Sequence, residues 1–209
     1  MKITAIKQQQ KRADRYSIYV DGAYAFSLSE DGLIAAGLHS GQELDAVQLD
    51  ALKQAAGLDK AYGNALRYVA MRPRSVGEMR QYLQRKKLDE AAAASIIQRL
   101  QAVQLLDDHQ FARAWVANRR LLKSASRRRI MQELKQKQVA EDIIRQVLAA
   151  DETDEHTALR QLAERKRRQL RYQDDQKLMQ YLARQGYGFD DIKRALSELP
   201  AQPDTGAAD

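Results

Sequence analysis

The sequence predicts a mainly α fold, an elongated tandem array of three three-helix repeats preceded by a small N-terminal β-hairpin/α domain. One apolar helical pattern recurs at intervals of about 50 residues. Only residues 1–28 carry β-favouring runs. With 44% hydrophobic but only 6% aromatic residues and 30% charged ones, the chain has the composition of a soluble helical protein rather than a disordered one.

The first element is a small sheet. Ile3–Ile6, Tyr16–Val20 and Ala23–Leu28 read as strands, with Asp21-Gly22 as a hairpin turn between the last two. Alternation in the third run places Tyr24, Phe26 and Leu28 on one face, which needs cover. Two helices are expected to supply it. One is capped by Ser29 and ends at Gly37; the other starts from the capping box Asp45/Gln48 and runs to Ala56. This domain is expected to span 1–58.

The repeats are expected over 59–106, 107–150 and 151–200, with a small polar tail, 201–209, left disordered. Each has a middle helix with an i, i+4 apolar pair: Met79/Leu83, Ile130/Leu134 and Leu178/Leu182. Leu88, Val139 and Tyr187 follow at equal offsets, and then come Ala93/Ile97, Ile144/Leu148 and Ile192/Leu196. Pro73 ends the first helix of the first repeat, Ser75 with Glu78 caps the next, and Asp89 caps the third. In the second repeat Asp107-Asp108 opens the first helix and Ser124 or Ser126 caps the second. In the third, Asp154 and Asp174-Asp175 open helices, Gly186 stops one, and Pro200 ends the last. Phe111, Trp115 and Tyr181 fall where sister repeats are apolar, so core packing is expected of them; Tyr68, Tyr82 and Tyr172 are less constrained and can interleave with arginines.

No run of residues approaches the roughly 20 apolar positions needed to span a bilayer. Cysteine is absent, which removes disulfides and thiolate metal sites and makes the cytoplasm the default location. His39, His109 and His156 lie in different modules without metal-ligand spacing, and there is neither a phosphate-binding glycine loop nor a nucleophile elbow. No catalytic, cofactor or metal site is expected.

The charge is informative. The net +7 resides in the first two repeats: six basic against seven acidic residues in 1–58, nine against four in 59–106, ten against five in 107–150, ten against twelve in 151–209. Arg72, Arg74, Arg80, Arg85, Lys86 and Lys87 surround the middle helix of the first repeat. Arg119, Arg120, Lys123, Arg127, Arg128 and Arg129 bridge two helices of the second. Some of these cations stabilise helix C-termini, as expected of Lys86 and Lys137. Their recurrence at the same joint suggests a stripe for a polyanion or an acidic protein surface. Charge reversal of Arg127-Arg128-Arg129 is expected to abolish binding and spare the fold, because the run is too charged to be core.

The runs Ala65-Leu66-x-Tyr68-Val69-Ala70-x-Arg72-Pro73-Arg74-Ser75-x-x-Glu78-Met79-Arg80-x-x-Leu83, then Leu106-Asp107-Asp108-x-x-Phe111-Ala112, then Arg119 and Arg129-Ile130-x-x-Glu133-Leu134-x-x-Lys137 resemble the RecX family of bacterial recombination regulators. Tyr19-Val20-Asp21-Gly22 and Phe26-Ser27-Leu28 resemble the extension of its longer members. The resemblance implies a monomeric, non-enzymatic protein that binds the RecA recombinase filament on DNA and usually restrains its ATPase, strand-exchange and co-protease activities. Two alternatives from the residues alone are a direct electrostatic DNA binder and a helical scaffold that ignores nucleic acid. In two places the chain departs from the family pattern. Ser124-Ala125-Ser126 and Gln138 stand where glycine is favoured, so a left-handed turn after Lys137 would strain Gln138.

Overall fold

The computed structural model describes residues 1–199; the expected tail 201–209 and the expected stop at Pro200 lie outside the described residues. The chain divides into two compact bodies, Met1–Leu106 and a second that begins at Asp107.

In the first body, strands β1 (Ile3–Gln9), β2 (Arg12–Val20) and β3 (Ala23–Ser29) form an antiparallel sheet in that order. Asp21 and Gly22 both have positive φ (47° and 83°), as a two-residue turn that matches strand twist requires. Ile3, Ile18, Val20, Phe26 and Leu28 are buried with Leu44 and Ala56. Tyr24 departs from the expected alternation. The β2–β3 register slips between Ile18/Phe26 and Tyr19/Tyr24, so Tyr24 is 59% exposed and meets Tyr19 edge-on at 6.1 Å.

Helix α1 (Glu30–Ala35) is capped by Ser29, whose hydroxyl accepts from Gly32 N. Helix α2 (Ala46–Ala70) starts from the Asp45/Gln48 capping box and then runs unbroken for 25 residues. The expected stop near Ala56 and restart at Asp59 are therefore absent, and the sheet's cover and the first helix of the first repeat are one helix. Gly57 and Asp59 imitate a stop and a start. An interior glycine costs only about 1 kcal/mol against alanine. Asp59 serves another purpose: it accepts from Ser29 N (2.9 Å) and Ser29 Oγ and pairs at 2.9 Å with the buried Arg15 guanidinium. It fastens the sheet to α2.

Helices α3 (Val76–Arg85) and α4 (Glu90–Ala102) complete the first repeat. The second consists of α5 (Asp108–Lys123), α6 (Arg127–Gln136) and α7 (Glu141–Ala149). The third consists of α8 (Glu155–Arg167), a short 3₁₀ turn at Leu170–Tyr172, α9 (Asp175–Arg184) and α10 (Phe189–Ser197). Each repeat closes a core of its own around the predicted pairs, and Met79, Ile130, Leu134, Leu178 and Leu182 are fully buried. Ser75, Ser126 and Asp174 cap the three middle helices by accepting from the backbone three residues on.

Each middle helix is followed by a left-handed residue: Lys87 (φ 60°), Gln138 (φ 55°) and Gly186 (φ 92°). Ser124, the C-cap of α5, is also left-handed (φ 45°). The turns at Ser124 and Gln138 thus keep the geometry that favours glycine, and these side chains tolerate it at a local cost of about 1–2 kcal/mol each.

Candidate polyanion-binding surfaces

In the second body most of the predicted cations are turned to structural use. Glu133 on α6 is the hub of one cluster: its carboxylate pairs with Arg119 Nε, accepts from Trp115 Nε1 at 2.9 Å and from Arg129 Nε at 3.2 Å. The Arg119 guanidinium also covers the Trp115 ring, 4.4 Å from its centroid. Trp115 is half-buried, stacked on Phe111 at the edge of the core, with its polar end on Glu133. Burial pushes the Glu133 carboxyl up, but the bonds from Arg119, Trp115 and Arg129 outweigh it and hold the group below its ordinary value.

Arg120 is the most enclosed of the six cations predicted in the second repeat and its joint, 11% exposed. Its Nη2 lies 2.7 Å from Asp151, and its Nη1 donates to Glu155 (2.7 Å) and to the Ala125 carbonyl (2.8 Å). At Asp151, burial is again outweighed, here by Thr153 and Arg120, so the carboxyl is lowered. Arg127 donates its backbone N–H to Glu155 and its Nη2 to the Leu148 carbonyl, both at 2.6 Å. The Arg129 Nη1 reaches the Arg184 carbonyl. Arg119, Arg120, Arg127 and Arg129 therefore make ties within the second body, which weigh against the expectation that reversing all of Arg127–Arg129 spares the fold. The run is too charged to be core, yet the Arg129 side chain reaches the third repeat, and Arg127 meets Glu155 there through its backbone N–H.

Lys123 and Arg128 are different. Both are exposed, and neither has an ion pair or hydrogen bond among the described residues. Arg128 lines a cleft of about 560 Å³ with Arg129, Gln132, Gln136, Arg184 and Tyr187. Gly186 makes its tight end. A Cβ there would collide with Ser126 Oγ and come within 2.7 Å of Arg129 Cβ and 3.1 Å of Arg129 N. That close approach lets Ser126 N donate to the Gln185 carbonyl at 3.0 Å and the Tyr187 hydroxyl to the Ser124 carbonyl at 2.9 Å. Burial, reinforced by Glu155, pushes Tyr187 up to about 12, so it stays a neutral donor.

In the first body Arg72 grips Glu78 through two bonds (3.0 and 2.9 Å), and Arg74 stacks on Tyr68, 3.8 Å from its centroid. Arg80 is exposed, 3.5 Å from Glu90. Arg85, Lys86 and Lys87 are exposed at the end of α3, where cations complement the helix dipole and stay accessible. Sequence reading missed Arg184 and Lys60, isolated cations that only the fold brings beside others, and the Arg15–Asp59 tie, whose partners lie in different elements. Among the described residues no group of three or more His, Asp or Glu can hold a metal, and no helix is long and apolar enough to cross a membrane.

Comparison with known proteins agrees with this architecture segment by segment. Residues 1–45 match the regulatory protein RecX N-terminal domain, and 61–100, 107–148 and 153–196 match its first, second and third three-helix domains. Regulatory protein RecX of Levilactobacillus brevis is 32% identical, over 98% of this chain and 79% of its own length. That of Bacillus licheniformis is 30% identical, over 98% and 80%. A crystal structure of regulatory protein RecX superposes with a TM-score of 0.73 at 30% identity, covering 94% of this chain and 99% of its own. A sheet-bearing head, three capped three-helix repeats in the same order and likeness along nearly the whole chain leave one conclusion: this protein belongs to the RecX family of regulatory proteins.

Proposed function

We propose that this protein binds the RecA recombinase filament on DNA and restrains its ATPase, strand-exchange and co-protease activities. On this reading it acts as a cytoplasmic monomer and by binding alone. The observation that carries the reading is the accessible cationic surface on a RecX scaffold: Arg128 and Arg184 at one cleft, and Arg80, Arg85, Lys86 and Lys87 around α3. Such surfaces suit acidic protein patches or DNA phosphates and steer association at low salt. Lys123 belongs with this set; Arg72, Arg74, Arg119, Arg120, Arg127 and Arg129 are engaged by other groups of the chain.

The test is the single-stranded-DNA-dependent ATPase of the cognate RecA, titrated with this protein with DNA in excess. Loss of ATPase at substoichiometric to equimolar amounts, with weak binding to bare DNA, supports a filament regulator. An unchanged rate with steeply salt-dependent DNA binding would favour the direct DNA binder instead, and an unchanged rate without DNA binding would favour the scaffold.

A further inference from the structure

Tyr68 of α2 and Tyr82 of α3 lie face to face, ring centroids 4.1 Å apart and planes 7° from parallel. Tyr82 takes one face of Tyr68, so the Arg74 guanidinium, 3.8 Å from the Tyr68 centroid, covers the other. The column Arg74, Tyr68, Tyr82 ends at the second face of Tyr82. Tyr82 borders a cleft of about 200 Å³, room for one planar ring, walled by Gly57, Lys60, Asn64 and Lys86. Lys86 Nζ lies over the Tyr82 ring, 5.7 Å from its centroid, on the end of a flexible, exposed side chain that swings aside when a ring stacks there; Lys60 is exposed too. Gly57 sits in the interior of α2, where helix propensity opposes it. A Cβ there would meet nothing within 4 Å, so packing does not demand glycine; its effect is to keep that wall of the cleft low.

We propose that this cleft is a nucleobase site of single-stranded nucleic acid, in which one base extends the aromatic column on Tyr82 and its flanking phosphates pair with Lys60 and Lys86. A flat π face beside two cations matches a base and its phosphates, and every base has such a face, so recognition is tolerant of sequence. An acidic peptide would engage the lysines and leave the ring unused. The site concerns bare nucleic acid and is read without RecA, so it stands or falls separately from the filament reading.

The experiment measures fluorescence anisotropy of the full chain with labelled oligothymidylate and with an abasic oligomer of the same length and charge. The wild type should bind oligothymidylate about tenfold more tightly, the order expected for one stacked base. Tyr82→Leu should erase that preference, and Tyr82→Phe should keep it. Gly57→Ala should raise the melting temperature yet weaken oligothymidylate selectively, and Lys60→Gln with Lys86→Gln should weaken both oligomers alike. Equal binding of the two oligomers by the wild type would overturn the proposal, as would a preference that survives in Tyr82→Leu. If Tyr82→Leu fails to fold, Gly57→Ala decides, and unchanged oligothymidylate affinity in that stabilised variant would also overturn it.

Discussion

The first and second repeats carry the same excess of positive charge, nine basic against four acidic residues and ten against five, but employ it differently. In the first, the cations at the end of α3 remain exposed. In the second, Arg119, Arg120, Arg127 and Arg129 are consumed by Glu133, Asp151, Glu155 and backbone carbonyls, leaving Arg128 and Lys123 outward. A basic run is therefore not uniformly accessible. Accessibility depends on whether the fold brings a carboxylate or a carbonyl within reach of each guanidinium.

The difference breaks most sharply at Arg120. Arg120→Ala leaves Asp151 enclosed without its cation and should destabilise the second body by about 3–5 kcal/mol in urea unfolding. Gly186→Ala comes next. It adds both a positive-φ penalty and a collision with the start of α6, together about 3 kcal/mol. Acid should act on the same ties. Glu133 and Asp151 are lowered from ordinary values of 4.5 and 3.8, so the folded state binds fewer protons than the unfolded one. Their contribution is complete above those values and is lost as pH falls through them toward the lowered folded ones. The melting temperature should thus drop below about pH 4.5, and less so in Arg120→Ala. Gln138→Gly should gain about 0.5–1 kcal/mol by relieving a left-handed glutamine. Smallest of all, Arg128→Glu should change stability by less than about 0.5 kcal/mol, since it makes no tie.

Much of the fold was legible because it depends on short-range signals. The i, i+4 pairs found the middle helices, and Ser75, Ser126 and Asp174 stood where their hydroxyl or carboxylate caps a backbone N–H. Where sequence reading failed, the deciding contact was remote. Asp59 looks like a helix start because its real partners, Arg15 and Ser29, lie in the sheet. Tyr24 faces outward because of a register slip that alternation cannot foresee. Trp115 packs against the core as expected, and what the sequence could not name is the acceptor of its indole N–H, Glu133 at the core's edge. The candidate surface was legible only as a set of cations, because the separation of Arg128 from Arg127 and Arg129 depends on Glu155, Leu148 and Arg184 farther along the chain.

The most direct measurement is the RecA ATPase titration repeated with the double variant Arg128→Glu/Arg184→Glu, alongside its thermal melt. If accessible cations carry function and tied ones carry the fold, inhibition should weaken about tenfold or more while the melting temperature stays at the wild-type value, in keeping with the loss of about 1.4 kcal/mol or more of binding energy. Full inhibition by a normally folded double variant would contradict that division.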